Sequence, residues 1–148
     1  MENSFKFFVP LQVRFAETDM QGHVFFGNYF TYFDIGLTEY LKAVGYSYDD
    51  FLKEGVDFFY VQTDCQFKGR AFFEEILHVH VRVSNIGNSS FTFEFSIFEE
   101  ISGRSVATGH ITAVAINKET RESIRVPERF RKAIADYEPV APVPSGTF

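Results

Sequence analysis

Tryptophan is absent from this chain and cysteine occurs once. A single cysteine, Cys65, excludes an intramolecular disulfide. It lies in an alternating apolar run, where a thiol reads as a small buried core group. Positive charge is also scarce: 14 Lys and Arg face 20 Asp and Glu, for a net charge of −6. A nucleic-acid footprint needs a basic face, so that partner class is excluded. An anionic small ligand is not, because a few local cations suffice to hold one. No apolar run approaches the ~18 residues of a membrane span. The segment 1–10 lacks the basic start, apolar centre and small-residue cleavage site of a secretory signal, so a cytoplasmic location is expected. There is no Gly-rich phosphate loop and no Ser-His-Asp order. His78 and His80 share a strand face, but no third metal ligand accompanies them, and they read as an exposed face or a subunit contact. No cofactor or metal is expected.

Phenylalanine, by contrast, supplies 20 of the 148 residues. That is enough apolar material for one domain with a proper core. A Phe-packed core is the plain reading; an apolar ligand tunnel or a subunit interface is the other.

The hydrophobic period divides the chain. Residues 7–17 alternate loosely as a first strand, and 18–26 form a loop containing Gly22. From Asn28 the period becomes helical, with Phe30, Phe33, Leu37, Leu41 and Val44 on one strip and Gly45 as the stop. Ser47 is placed to cap a short helical turn through Lys53. Strands follow at 57–68, 76–84, 91–97 and 105–117. Asn85-Ile86-Gly87-Asn88 reads as a turn and Ser102-Gly103 as a hairpin signal. Pro127 opens a last helix, Glu128–Tyr137. The domain is expected over 1–137, with a Pro-rich disordered tail over 138–148. One long helix followed by hairpin-linked strands gives an α+β fold: a five-stranded antiparallel sheet covering a central helix. The free sheet face and edges are natural places for another subunit.

The segment from Glu17 to Tyr29 carries the chemistry. Asp19 lies in the loop between a strand end and a helix start. A helix start offers unpaired N–H groups and a partial positive charge, which can hold an oxyanion. A carboxylate beside such a site is the minimum equipment for hydrolysing an activated acyl group. Asp19 alone reads equally as a turn cap. Asn28 reads first as a helix cap, and otherwise as a loop or substrate contact.

Gln12-Val13, Thr18-Asp19-x-x-Gly22-x-Val24 and Asn28-Tyr29 together resemble the signature of the 4-hydroxybenzoyl-CoA thioesterase family, which has the hotdog fold. Thr38-Glu39-Tyr40-Leu41, the strand order and the Asn88-Ser89-Ser90 turn agree with it, over roughly residues 8–137. The resemblance implies that Asp19 is nucleophile or general base on an acyl-CoA thioester. It implies that the Phe26 backbone N–H polarises the thioester carbonyl, and that active sites lie between paired subunits of a homodimer or homotetramer. Within that frame Phe25 and Phe26 read as walls of an acyl pocket or as core packing, Tyr29 as a pocket or a core residue, and Gly22, Asn28, Ser89 and Ser90 as further candidate substrate contacts, with Gln62 and Thr63 meeting the site across the dimer.

This chain departs from the family pattern at two places. His23 stands where an aliphatic residue is usual; it reads as a second acid/base, a substrate ligand or a loop histidine. The third hairpin lacks a basic cluster for CoA, leaving Lys68 and Arg70 around Gly69 as phosphate contacts or solvated loop charges. Glu39 reads as structural and His110 has no recognisable partner. The alternatives carried are a thioesterase acting on acyl-carrier-protein thioesters, a non-catalytic acyl or aromatic binder, and a dehydratase.

Overall fold

Strands with a two-residue period must find partners for their backbone N–H and C=O groups, and hairpin connections supply them. In the computed structural model, which describes residues 5–145, five strands form one antiparallel sheet. They are β1 (Phe7–Gln12), β2 (Val56–Phe67), β3 (Ile76–Gly87), β4 (Ser90–Glu99) and β5 (Ser105–Asn117). The order across the sheet is β1-β3-β4-β5-β2, so β1 and β2 lie at the edges. The helix α1 (Asn28–Val44) packs on one face, followed by the short α2 (Tyr48–Lys53) and, after β5, by α3 (Glu128–Tyr137). This is the expected hotdog α+β arrangement. No helix among the described residues is long and apolar enough to cross a membrane.

The buried strip of α1 is Tyr29, Tyr32, Phe33, Gly36, Leu37, Tyr40, Leu41 and Val44. The expected strip is corrected at Phe30, which turns outward and is 37% exposed. Gly36 supplies the reason. A Cβ there would lie 2.7 Å from Val79 Cγ1 and 2.9 Å from Val81 Cγ2, so the helix backbone itself rests on β3. That contact rolls the row Tyr32-Gly36-Tyr40 onto the sheet. One strand over, Phe33 stacks on Phe95 at 4.4 Å. Gly109 on β5 makes room for the Phe33 ring. The expected ends hold. Gly45 closes α1 at φ +87°. Ser47 and Asp50 exchange capping hydrogen bonds at the start of α2.

Three boundaries differ from the sequence reading. The first strand stops at Gln12, and Phe15–Glu17 form a single 3-10 turn, because the Glu17 carboxylate folds back to accept the Arg14 N–H. The turn expected at 85–88 sits at Asn88-Ser89 instead. A bulge between Val83 and Asn85 lets the strand continue, and Asn85 and Ile86 still pair with Thr92 and Phe91. The tail expected to be disordered is placed as far as Ser145. Glu138 is buried against Tyr40. A short strand β6 (Val143–Ser145) runs parallel to β3 at Asn85–Gly87. Residues 146–148 of that tail lie outside the described residues.

Candidate active site

After the 3-10 turn the chain closes a small loop. Thr18 and Val24 form an antiparallel bridge. Inside it the Asp19 N–H donates to the His23 carbonyl at 3.0 Å, and the Gly22 N–H to the Asp19 carbonyl at 2.9 Å. Gly22 sits at φ +85°, a conformation that a residue with a Cβ adopts only under strain. Asp19 Oδ1 accepts the Gln21 N–H at 2.9 Å. The turn-cap reading therefore describes one oxygen, while Oδ2 accepts no hydrogen bond among the described residues. Thr18, Asp19, Met20 and Gly22 line one side of an open depression of about 540 Å³, with Phe15 and Phe73 across from them.

Glu17 ties this loop to α1. Its carbonyl accepts the Phe25 N–H and the Asn28 side-chain amide, each at 2.9 Å. Its carboxylate is almost completely buried. It accepts the Arg14 N–H, the Arg14 guanidinium and the Tyr32 hydroxyl, all at 2.9 Å. Burial alone pushes this carboxyl up, but the three donors outweigh burial and hold it below the usual carboxylate range. Sequence reasoning missed Glu17, which looks like a surface charge at the end of an alternating strand. The usable signal was Arg14-x-x-Glu17, an opposite-charge pair spaced to close one turn.

Asn28 does not cap the helix. Gly27 is the cap residue and no side chain caps there. Asn28 orients the loop instead, through the Glu17 carbonyl. The next N–H groups, of Asn28 and Tyr29, turn back onto the Phe25 and Phe26 carbonyls at 2.9 and 3.3 Å. The Phe26 N–H meets no protein acceptor among the described residues. It therefore stands open at the positive end of α1.

The other expected residues divide into two groups. Phe25 and Phe26 are exposed, with ring centroids 4.7 Å apart, and Phe26 meets Phe67 of β2 edge-on. Tyr29 is buried in the core; burial and the neighbouring Cys65 push its hydroxyl up to about 12. His23 Nδ1 lies 3.1 Å from the Val24 carbonyl. A carbonyl only accepts, so that contact places a proton on Nδ1, and in the neutral imidazole Nε2 is then the acceptor. Lys68 and Arg70 sit on the loop after β2, which joins the site where the Val24 N–H donates to the Ala71 carbonyl at 2.9 Å. Arg104 braces this loop by bonding both the Arg70 carbonyl and the Glu75 carboxylate at 2.7 Å. No carboxylate pairs with Lys68 or Arg70 among the described residues. Thr63 on β2 donates to the His110 carbonyl at 2.9 Å. Ser89 and Ser90 are buried at the opposite end of the sheet, so one chain alone does not bring them to Asp19. Glu39 pairs with Lys42 on the helix surface, and His110 with Asp64. His78 bonds Glu100, and His80 faces the Ser96 carbonyl. The Cys65 thiol is pushed up to about 11 by burial and by Asp64, as suits an unreactive packing group.

A model of the thioesterase-like superfamily matches residues 13–134, which include the Asp19 loop, α1 and the four strands β2–β5. The chain belongs to that superfamily. As a hotdog thioesterase it has relatives of similar length. A protein of Aquifex aeolicus (strain VF5) named "Putative esterase" is 30% identical over 120 residues, 77% of this chain and 94% of its own. Acyl-CoA thioesterase YbgC of Haemophilus influenzae is 27% identical over 119 residues, 80% of this chain and 86% of its own. Among solved structures, DHNA-CoA thioesterase from Staphylococcus aureus superposes with a TM-score of 0.79 at 26% identity, over 87% of this chain and 88% of that one. The expected class, a thioester hydrolase of hotdog fold, stands with these findings.

Proposed function

We propose that this thioesterase hydrolyses an acyl-CoA to the free acid and CoA, with Asp19 as the reacting carboxylate and the Phe26 N–H as oxyanion donor. The open Phe26 N–H at the start of α1 carries this reading, because Glu17 fixes that backbone and the Asp19 loop to one another. A thioester is already activated, so no acid is needed to expel a poor leaving group. As nucleophile, Asp19 attacks the carbonyl carbon through Oδ2 and expels the CoA thiolate, which takes a proton from solvent. Water then cleaves the mixed anhydride and restores the carboxylate. As base, Asp19 takes a proton from the attacking water and passes it to the leaving sulfur. In either route the carbonyl oxygen gains charge beside the Phe26 N–H. One such donor contributes about 10²–10³ in rate. Lys68 and Arg70 receive the CoA phosphates, being unpaired cations on the loop bonded to Val24. His23 Nε2 offers an acceptor to substrate or water. Thr63, Ser89 and Ser90 join the site from a second copy of the chain, paired through its sheet.

Asp19→Ala and Asp19→Asn are expected to lower acyl-CoA hydrolysis at least ~10³-fold while the fold is kept. Thiol release is followed on short, long and aromatic acyl-CoAs and on carrier-protein thioesters. Wild-type turnover in Asp19→Ala refutes the assignment. Saturable binding with no thiol release from any member identifies a binding protein instead. Hydrolysis in H₂¹⁸O over many turnovers tests the nucleophilic route, since only water attack on the Asp19 carbonyl of a mixed anhydride puts label into Asp19.

A further inference from the structure

A half-open cavity lies away from Asp19. It holds about 630 Å³ in the seam between α1 and β2, with Leu37, Thr38 and Leu41 on one side, Phe58 and Tyr60 on the other, and Tyr48 at the end. That volume and its largely apolar lining suit a small apolar ligand.

Aromatic contacts run along the seam from this cavity towards the Phe26 end of α1. α1 and β2 run alongside one another in opposite directions. At one end Phe67 meets Phe26 and Tyr29, with ring centroids 6.0 and 5.8 Å apart. At the other, Phe58 meets Tyr48 at 5.4 Å. The register of β2 on β5 sets Tyr60, Thr63, Cys65 and Phe67 opposite Ala113, Ile111, Gly109 and Ala107, so a bulge after Tyr60 preserves one helix-facing row. Midway along the seam a bar crosses it at its solvent-exposed edge: Tyr60, 45% exposed, donates its hydroxyl to Asp34 Oδ1 of α1 at 3.1 Å. The bar divides the catalytic end from the cavity.

We propose that the cavity receives the distal end of a straight-chain acyl group, and that the Tyr60–Asp34 bar sets the chain length the enzyme accepts. This rests on the thioesterase reading above. Asp34 lies eight residues beyond Phe26, or about 12 Å along a helix rising 1.5 Å per residue. An extended hydrocarbon advances about 1.25 Å per bond when its C–C bonds are ~1.5 Å. An acyl chain therefore reaches the bar at about ten carbons. Shorter chains end before it, and longer ones must displace it to enter the cavity. Each methylene that does so gains about fourfold in binding.

The test uses the full chain and compares wild type with Tyr60→Ala, Tyr60→Phe and Thr38→Phe. The last fills the cavity from an exposed helix position. The quantity read is the ratio of kcat/KM for hexadecanoyl-CoA to that for butyryl-CoA. It is expected to rise about tenfold in Tyr60→Ala, less in Tyr60→Phe, and to fall about tenfold in Thr38→Phe. Calorimetric binding of free hexadecanoate, which needs no turnover, is expected to weaken in Thr38→Phe alongside. One ratio shared by all four folded proteins, with hydrolysis intact, overturns the acyl cavity and leaves the thioesterase reading standing. No hydrolysis of any acyl-CoA, with hexadecanoate binding still sensitive to Thr38→Phe, supports the cavity and overturns the thioesterase reading.

Discussion

Glu17→Ala is expected to destabilise the protein by about 3–4 kcal/mol. Three donors lose their acceptor at once. The Arg14 guanidinium is 77% exposed, so its ion pair contributes about 0–1 kcal/mol at most. The Tyr32 hydroxyl belongs to a fully buried residue, and left unpaired it costs about 1–3 kcal/mol. The Arg14 N–H loses a bond to a charged acceptor, about 1.5 kcal/mol or more. Glu17→Gln keeps one acceptor oxygen, and its loss should be nearer 1–2 kcal/mol. The pH dependence has a defined sign. The folded carboxyl is held below its usual 4.5, so the unfolded chain binds the proton more readily. The stabilisation is full above that value and is lost as pH falls through the lower folded pKa. Urea unfolding at pH 7 gives the magnitudes, and a series down to pH 3 gives the linkage. The gap between wild type and Glu17→Gln should narrow with acid. Tyr32→Phe combined with Glu17→Ala should fall at least ~1 kcal/mol short of additivity. Wild-type stability in Glu17→Ala, strict additivity with Tyr32→Phe, or a pH-independent gap each refutes the role given to Glu17.

Gly36→Ala should cost about 1–3 kcal/mol, because the new methyl meets two valines of β3; a melt within experimental error of wild type would mean that α1 can lift without penalty. Burial raises the Glu138 carboxyl above its usual 4.5, with the Tyr40 hydroxyl opposing. A raised carboxyl favours the folded state at low pH and loses that contribution as pH rises through the folded pKa. Glu138→Gln should therefore match or exceed wild type in stability at pH 8 and lose that advantage at pH 4, as read by chemical unfolding. Lys68→Ala with Arg70→Ala should raise KM for acyl-CoA roughly tenfold with little change in kcat. Added salt should reproduce part of that effect in the wild type, and an unchanged KM would return both residues to the role of solvated loop charges.

What was legible in the sequence followed from local rules. The span of α1 is set by a 3.6-residue period and ended by a glycine, and Ser47-x-x-Asp50 is a cap readable from four letters. Asp19 stood out because a loop carboxylate precedes a helix start. The misreadings involve distant partners or backbone choices. Glu17 owes its burial to Tyr32, 15 residues away. Phe30 reads as part of the buried strip because hydropathy does not distinguish it from Tyr32. The contact of Gly36 with Val79 and Val81 decides between them. The late turn at Asn88-Ser89 depends on a bulge, which costs one residue of register and leaves no compositional mark. The Tyr60–Asp34 bar joins a strand to a helix 26 positions away, a pairing that no spacing rule anticipates.

The Asp19 loop is held almost wholly by its own main chain. Thr18 pairs with Val24, Asp19 with His23, and the N–H that orients the Asp19 carboxylate belongs to the backbone of Gln21. Met20 is fully exposed at the rim of the depression beside Asp19. The identities of residues 20 and 21 are thus uncoupled from the geometry of the Asp19 carboxylate. Under the proposed function, the lip over which a substrate enters can change its chemistry without rebuilding the carboxylate that acts on it, which makes these two positions a low-risk starting point for directed diversification.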